Sequence, residues 1–422
     1  MNHTHYRLPA IALPAIALPA IALPAIALPA IAMMLGWGLR GFIGGGPFGA
    51  MIPGAMVVLA LGVLYPRRDW TLPAAFGAIG VGFGGEMTYG QTVGFIVKPE
   101  TFWWGFLGLG LKGAIWAALA APVILLGLRP APRPVALAAG AMILATWTGW
   151  KLINEPKLIY FSNLLDRPRP EIWAGFLLAA AALAALGGAT ARRWAAVAFL
   201  GGFIGFGVGG AIQGLGRIYA PDWNLHWWKY MEFFFGYCFG FALAWLAART
   251  DLPAAPEPTP APRIALELSA AALTAAALFA IAWHVELRFA YLLGGSLLLV
   301  LLPRYPWLAR HVACSVTFAA VALDLARYWS KEYQRGPAEP AYALAGLAAL
   351  LFALAVRRAN DDPARLLNLL MWSCVADAMV KFAIHPDGLR NLLDHVAAAF
   401  VLMAIAVSLL IAHRQPPPHP AP

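Results

Sequence analysis

The sequence predicts an all-α polytopic integral membrane protein, with about 14 transmembrane helices built from parallel four-helix repeats. Three observations carry this reading. Of 422 residues, 61% are hydrophobic and only 12% charged, a balance too apolar for a water-soluble globule. Apolar stretches approaching or exceeding the roughly 20 residues that a helix needs to cross a bilayer recur from end to end. A pattern also returns about 125 residues later. Arg67-Arg68, a ladder of Gly80, Gly82, Gly84 and Gly85, then Pro99-Glu100 and Trp103-Trp104 reappear as Arg192-Arg193, Gly205, Gly207, Gly209 and Gly210, then Pro221-Asp222 and Trp227-Trp228. Arg357-Arg358 and Pro386-Asp387 keep only the ends of a third copy. Such self-similarity indicates internal duplication.

Predicted spans lie near 10–36, 44–65, 72–92, 103–128, 135–153, 172–190, 195–213, 230–248, 264–283, 289–303, 311–326, 340–356, 366–384 and 396–413. Residues 8–32 of the first are five exact copies of Leu-Pro-Ala-Ile-Ala. Regular proline would kink an ordinary helix, although membrane helices tolerate it better. A signal peptide is the rival reading, because Arg7 precedes an apolar run. Trp37-Gly38-Leu39-Arg40 favours retention, since it resembles Trp150-Lys151-Leu152 at the end of the fifth span.

Residues 1–128 thus form a first four-helix unit and 129–250 a second. The segment 251–263 is a stiff proline-rich linker, 264–310 an inserted hairpin, 311–414 a degenerate third unit, and 415–422 a disordered tail. An even number of helices per unit gives every copy the same orientation, unlike the inverted repeats of many transporters.

The net charge of +10 reflects arginines in short alternate connections, including Arg67-Arg68, Arg129, Arg192-Arg193, Arg304 and Arg357-Arg358. That bias places these connections and both termini in the cytoplasm and the chain in the inner (plasma) membrane. It gives no reason to expect a nucleic-acid partner. Cys238, Cys314 and Cys374 all fall inside spans and imply no disulfide framework.

The opposite loops carry mixed charges and histidines, which locates a site at the extracytoplasmic end. Ionisable residues inside spans are costly and mark pathways or pairs; they are Glu86, Lys112, Glu232, Asp324, Asp377 and Lys381. Glu86 and Lys112 could pair across their hairpin, and Asp377 and Lys381, four apart, could neutralise each other. Glu86 opens a polar run with Tyr89 and Gln91 between glycines, where a helix can unwind. Gln213 lies in the comparable part of the second copy. Gly44-Gly45-Gly46-Pro47, just after Arg40, could offer backbone amides to an anion at a helix start, with Arg40 adding a forked donor.

The glycine ladder literally contains Gly-x-Gly-x-x-Gly. Without a preceding strand this is helix packing, not a dinucleotide site. Tryptophans cluster toward the outer face, among them Trp37, Trp103, Trp104, Trp147, Trp150, Trp223, Trp227 and Trp228. They form an interfacial belt with room for stacking. Trp70 and Trp194 mark the cytoplasmic edge.

These features favour a transporter or flippase-like carrier for a polar or anionic small molecule or lipid head group. Arg40, Glu86, Tyr89, Gln91, Lys112, Gln213, Arg217, Trp227 and Asp377 are its candidate substrate contacts. The alternative is a membrane-embedded transferase acting on a lipid-linked substrate, with Asp222, His226, His385 or Asp387 as general acid or base. A noncatalytic subunit or sensor is a third reading. No ligand spacing for a metal and no cofactor motif stands out. The expected partners are membrane lipid and a small-molecule or lipid-linked substrate.

Overall fold

The computed structural model describes residues 22–65, 69–87, 89–162, 170–223, 225–252, 260, 262–284, 289–388 and 394–414. Most of the pentapeptide repeat, Arg67-Arg68, most of the proline-rich linker and the tail at 415–422 lie outside them. The described residues contain helices and no strands. In order these are α1 (Ala22–Ile43), α2 (Gly46–Leu64), α3 (Thr71–Gly84), α4 (Gly90–Ile96), α5 (Phe102–Leu128), α6 (Pro132–Gly149), α7 (Trp173–Leu186), α8 (Gly188–Tyr219) and α9 (Trp227–Ala247). They continue with α10 (Ile264–His284), α11 (Ala290–Leu301), α12 (Thr317–Arg327), α13 (Ala338–Arg358), α14 (Pro363–Ile384) and α15 (His395–Arg414). Among the described residues, 11 helices are long and apolar enough to cross a bilayer, and Thr71–Gly84, Trp173–Leu186 and Ala290–Leu301 are shorter apolar helices. The chain is a multi-pass membrane protein.

Six helices close into a ring, in the order α1, α2, α3, α5, α8, α9 and back to α1. Small residues make this possible, because without a hydrophobic drive between helices in lipid, association depends on close backbone contact. A methyl group at Gly202 would strike the carbonyl of Gly113, one at Gly236 the carbonyl of Met33, and one at Gly54 the carbonyl of Gly77. The glycine ladders belong to the same packing. Gly84 faces the Trp116 indole, Gly82 the Tyr291 ring, and Gly205 the backbone of Phe235. The last described pentapeptides serve the ring as well, since Pro29 is accommodated inside α1 and its carbonyl lies against Gly240 of α9.

The hairpin of α6 and α7 packs outside the ring against α5 and α8. On the other side, α12 and α14 pack on α2, and α14 and α15 pack on α1. Turns of π-helix occur at Trp150–Asn154, His311–Val316 and Tyr328–Glu332. Such turns leave the ordinary backbone ladder and recur at functional positions.

Several expectations need correction. Trp37 is not a belt residue; it is fully buried at the ring centre, and Trp70 and Trp194 are also buried. Trp103, Trp147 and Trp223 remain exposed, as a belt requires. Glu86 and Lys112 do not pair. Lys112 instead bonds Glu171 at 2.6 Å, and both side chains are enclosed. The Lys381 ammonium bonds the Phe42 carbonyl and lies over the Tyr328 ring, while its charge also acts on Asp377 one turn away, in keeping with the pairing expected.

Candidate functional site

Where α1 ends and α2 begins, the chain reverses through Gly44-Gly45-Gly46. Gly45 and Gly46 adopt φ of 67° and 52°, a left-handed conformation that suits glycine. The Gly45 amide closes the turn by donating to the Arg40 carbonyl at 2.7 Å. Opposite this turn, α3 stops at Gly84 and helix resumes only at Gly90. The break matches the unwinding expected for the Gly-Gly-Glu-Met-Thr-Tyr-Gly run. It sits close against the turn, since a side chain at Gly85 would collide with Gly46 and Pro47.

The break lets Tyr89 swing into the ring. Its hydroxyl accepts from Arg40 Nη1 at 3.0 Å and donates to Glu232 Oε1 at 3.0 Å. Glu232, fully buried on α9, also accepts from Trp228 Nε1 at 2.9 Å and Lys229 Nζ at 2.6 Å. Lys229 Nζ donates further to the Gly38 carbonyl at 3.1 Å. The Arg40 guanidinium stacks over Trp116 at 4.8 Å, Trp37 at 5.3 Å and Tyr89 at 5.4 Å, an aromatic box that favours a cation. An open cavity of about 530 Å³ adjoins this chain, lined by Arg40, Gly45, Gly85, Gln91, Trp228 and Glu232 among others. Arg40 is buried, and its Nε has no hydrogen-bond partner; nor has Nε1 of Trp37. Buried donors without partners are costly, and of the two residues Arg40 lines the cavity.

Of the residues proposed from sequence, Arg40, Tyr89 and Gln91 line this cavity. Glu86 lies beside it but turns away. Its carboxylate accepts from the backbone amides of Tyr291 at 3.0 Å and Leu292 at 3.2 Å, capping the start of α11. Lys112 is engaged by Glu171 and by Thr92 Oγ1 at 2.8 Å. Gln213 is buried in α8 with neither amide atom hydrogen-bonded, Arg217 is exposed, and Trp227 packs on Gly216. Asp377 lies in a separate groove bounded by α12, α13 and α14.

The proposed acid-base residues lie in the connections before α9 and after α14. Asp222 is exposed on the turn Pro221–Trp223. His226 Nε2 meets Asp394 Oδ2 at 2.8 Å, and Asp394 also caps α15 by accepting from Val396 N. His385 Nδ1 is 3.4 Å from Asp387 Oδ2 and its ring lies against Tyr333. Among the described residues no group of three potential metal ligands is assembled.

Sequence reasoning noted Glu232 as an intramembrane charge and left it out of the site. Trp228, Lys229 and Glu232 fall within one helical turn, a spacing that puts an indole donor and an ammonium beside one carboxylate. That signal was available. Trp116 gave none, as it resembles any apolar residue within a long span. Comparison with family models, curated proteins and solved structures finds no match.

Proposed function

We propose that this protein is a membrane carrier for a small anionic solute or anionic head group, bound in the ring cavity with Arg40 as its principal contact. One observation carries the reading: a guanidinium held at the ring centre by three aromatic faces, with an unpartnered Nε, beside an open cavity. A carboxylate or phosphate is the natural guest for a forked donor. It would take up the unpartnered Nε edge of Arg40 and leave the chain from Arg40 through Tyr89 to Glu232 in place, so occupancy would be felt on α9 through that chain. The glycine turn gives α1 and α2 a point about which to move, as a carrier requires. The extracytoplasmic opening, both cytoplasmic termini and the duplicated four-helix plan belong to the same reading. The transferase alternative draws less support, because none of its acid-base candidates lines the ring cavity.

The test is mass spectrometry of small molecules retained after extraction into native-lipid discs, followed by uptake of the retained species into proteoliposomes. Wild type should retain an anionic species that Arg40→Gln loses, and should move it. Equal retention by both proteins would overturn the role of Arg40. Retention with chemical turnover and no movement would favour the transferase.

A further inference from the structure

Away from the ring cavity, a groove of about 440 Å³ runs between α12, α13 and α14. Phe318, Leu325, Trp329, Leu344 and Val380 line it, and the single ionisable group in its wall is Asp377. The groove opens at the protein surface, where Leu344 and Val380 are 66% and 48% exposed. Asp377 is buried at 8% exposure, and its Oδ2 accepts no hydrogen bond.

The surrounding charges have other engagements. Asp324 is held by Arg327 through Nε at 3.1 Å and Nη2 at 2.9 Å. Lys381 follows Asp377 by one turn, yet its ammonium bonds the Phe42 carbonyl, stacks on Tyr328 and lies 4.0 Å from Asp324. Arg327 Nη1 reaches Glu332 at 2.7 Å. Asp324 and Glu332 are hydrogen-bonded by Arg327, whereas Asp377 has only the charge of Lys381, shared with Asp324, to answer it. A buried carboxyl with an oxygen that accepts no hydrogen bond, set in an apolar wall, is costly and persists where something further answers it. The volume lies within the range of small-molecule sites.

We infer that this groove is a second binding site, for a lipophilic organic cation that enters from the membrane and sets its charge against Asp377. The apolar walls take the body of such a guest, and Trp329 offers a ring face to its positive end. The site is independent of Arg40, which selects the opposite charge.

The probe is radiolabelled tetraphenylphosphonium, a permanent and apolar cation, titrated against the full chain in lipid nanodiscs with empty discs as background. Saturable binding is expected. Asp377→Asn, which keeps the shape, should weaken it by about ten-fold or more, as loss of a close opposite charge implies. Leu344→Trp, at an exposed position, should fill the groove and abolish binding without disturbing the fold. Tetraphenylborate, similar in size and opposite in charge, should fail to compete, and Arg40→Gln should leave binding unchanged. Binding no greater than in empty discs, equal binding by Asp377→Asn, or competition by tetraphenylborate would each overturn the site. Loss of binding in Arg40→Gln would assign the cation to the ring cavity instead.

Discussion

Lys112 Nζ meets Glu171 Oε1 at 2.6 Å with each side chain 1% exposed. Glu171 is otherwise satisfied by the Phe161 amide and the Ser162 hydroxyl, both at 3.0 Å. The pair ties α5 to the segment leading into α7. Removing one partner of a buried pair leaves a bare charge and costs about 3–5 kcal/mol, whereas replacing both by apolar groups is often near neutral. Lys112→Met should therefore lower thermal stability sharply, and Lys112→Met with Glu171→Leu should recover much of it. A double variant as unstable as the single one would show that Glu171 matters mainly through its other hydrogen bonds.

Glu86 predicts a milder phenotype. Its carboxylate takes two amides at the start of α11, and loss of an N-terminal capping acceptor costs about 0.5–2 kcal/mol. Glu86→Ala should lower the melting temperature modestly. Glu86→Gln, which keeps an acceptor oxygen, should lower it less, and neither should prevent a ligand from binding at Arg40. Complete loss of ligand by Glu86→Gln in a folded protein would return Glu86 to the site.

The helices were legible because apolar length is a local property, and each predicted span overlaps a helix. The partners of the charges were not. Lys112 and Glu171 are 59 positions apart, Tyr89 and Glu232 are 143 apart, and Glu86 and Tyr291 are 205 apart. Nothing within a span tells an ionisable residue which distant helix will face it. Arg40, Tyr89 and Gln91 could be read because glycines around them announced a turn and a break. Glu267 was missed altogether. It is enclosed near the start of α10, where Arg310, His311 and Arg357 converge on it, and so close to a span boundary it looks like an ordinary interfacial charge.

The loop between α13 and α14 supplies a pH dependence. Asp361 bonds Arg310 Nη1 at 2.9 Å, yet burial pushes its carboxyl above the ordinary 3.8, more than Arg310 pulls it down, and Asp69 adds to the rise. A carboxyl whose value is higher in the folded state disfavours folding as it ionises. Its contribution is therefore most favourable below 3.8 and declines as pH rises through the elevated folded value. Denaturation measured from acid to neutral pH should show that decline in wild type and a smaller one in Asp361→Asn. An identical decline in both would assign it to other groups.

Gly41 gives a direct test of the chain from Arg40 to Glu232. It follows Arg40 on α1, and a methyl group there would overlap both carboxylate oxygens of Glu232. The carboxylate would have to shift, and it is bonded at once to Tyr89, Trp228 and Lys229. Overpacking of this kind costs typically about 1–3 kcal/mol, which a bundle of this size can absorb. Gly41→Ala should thus yield a folded protein in which Tyr89 has lost its acceptor and the aromatic box no longer fixes Arg40. Retention of the anionic ligand should fall with it, although no group that touches the ligand has been removed. The phenotype should match that of Tyr89→Phe, which deletes the same link and adds no bulk. If Gly41→Ala loses ligand while Tyr89→Phe keeps it, the methyl acts by filling the cavity, and the hydrogen-bonded chain does not hold Arg40 in place.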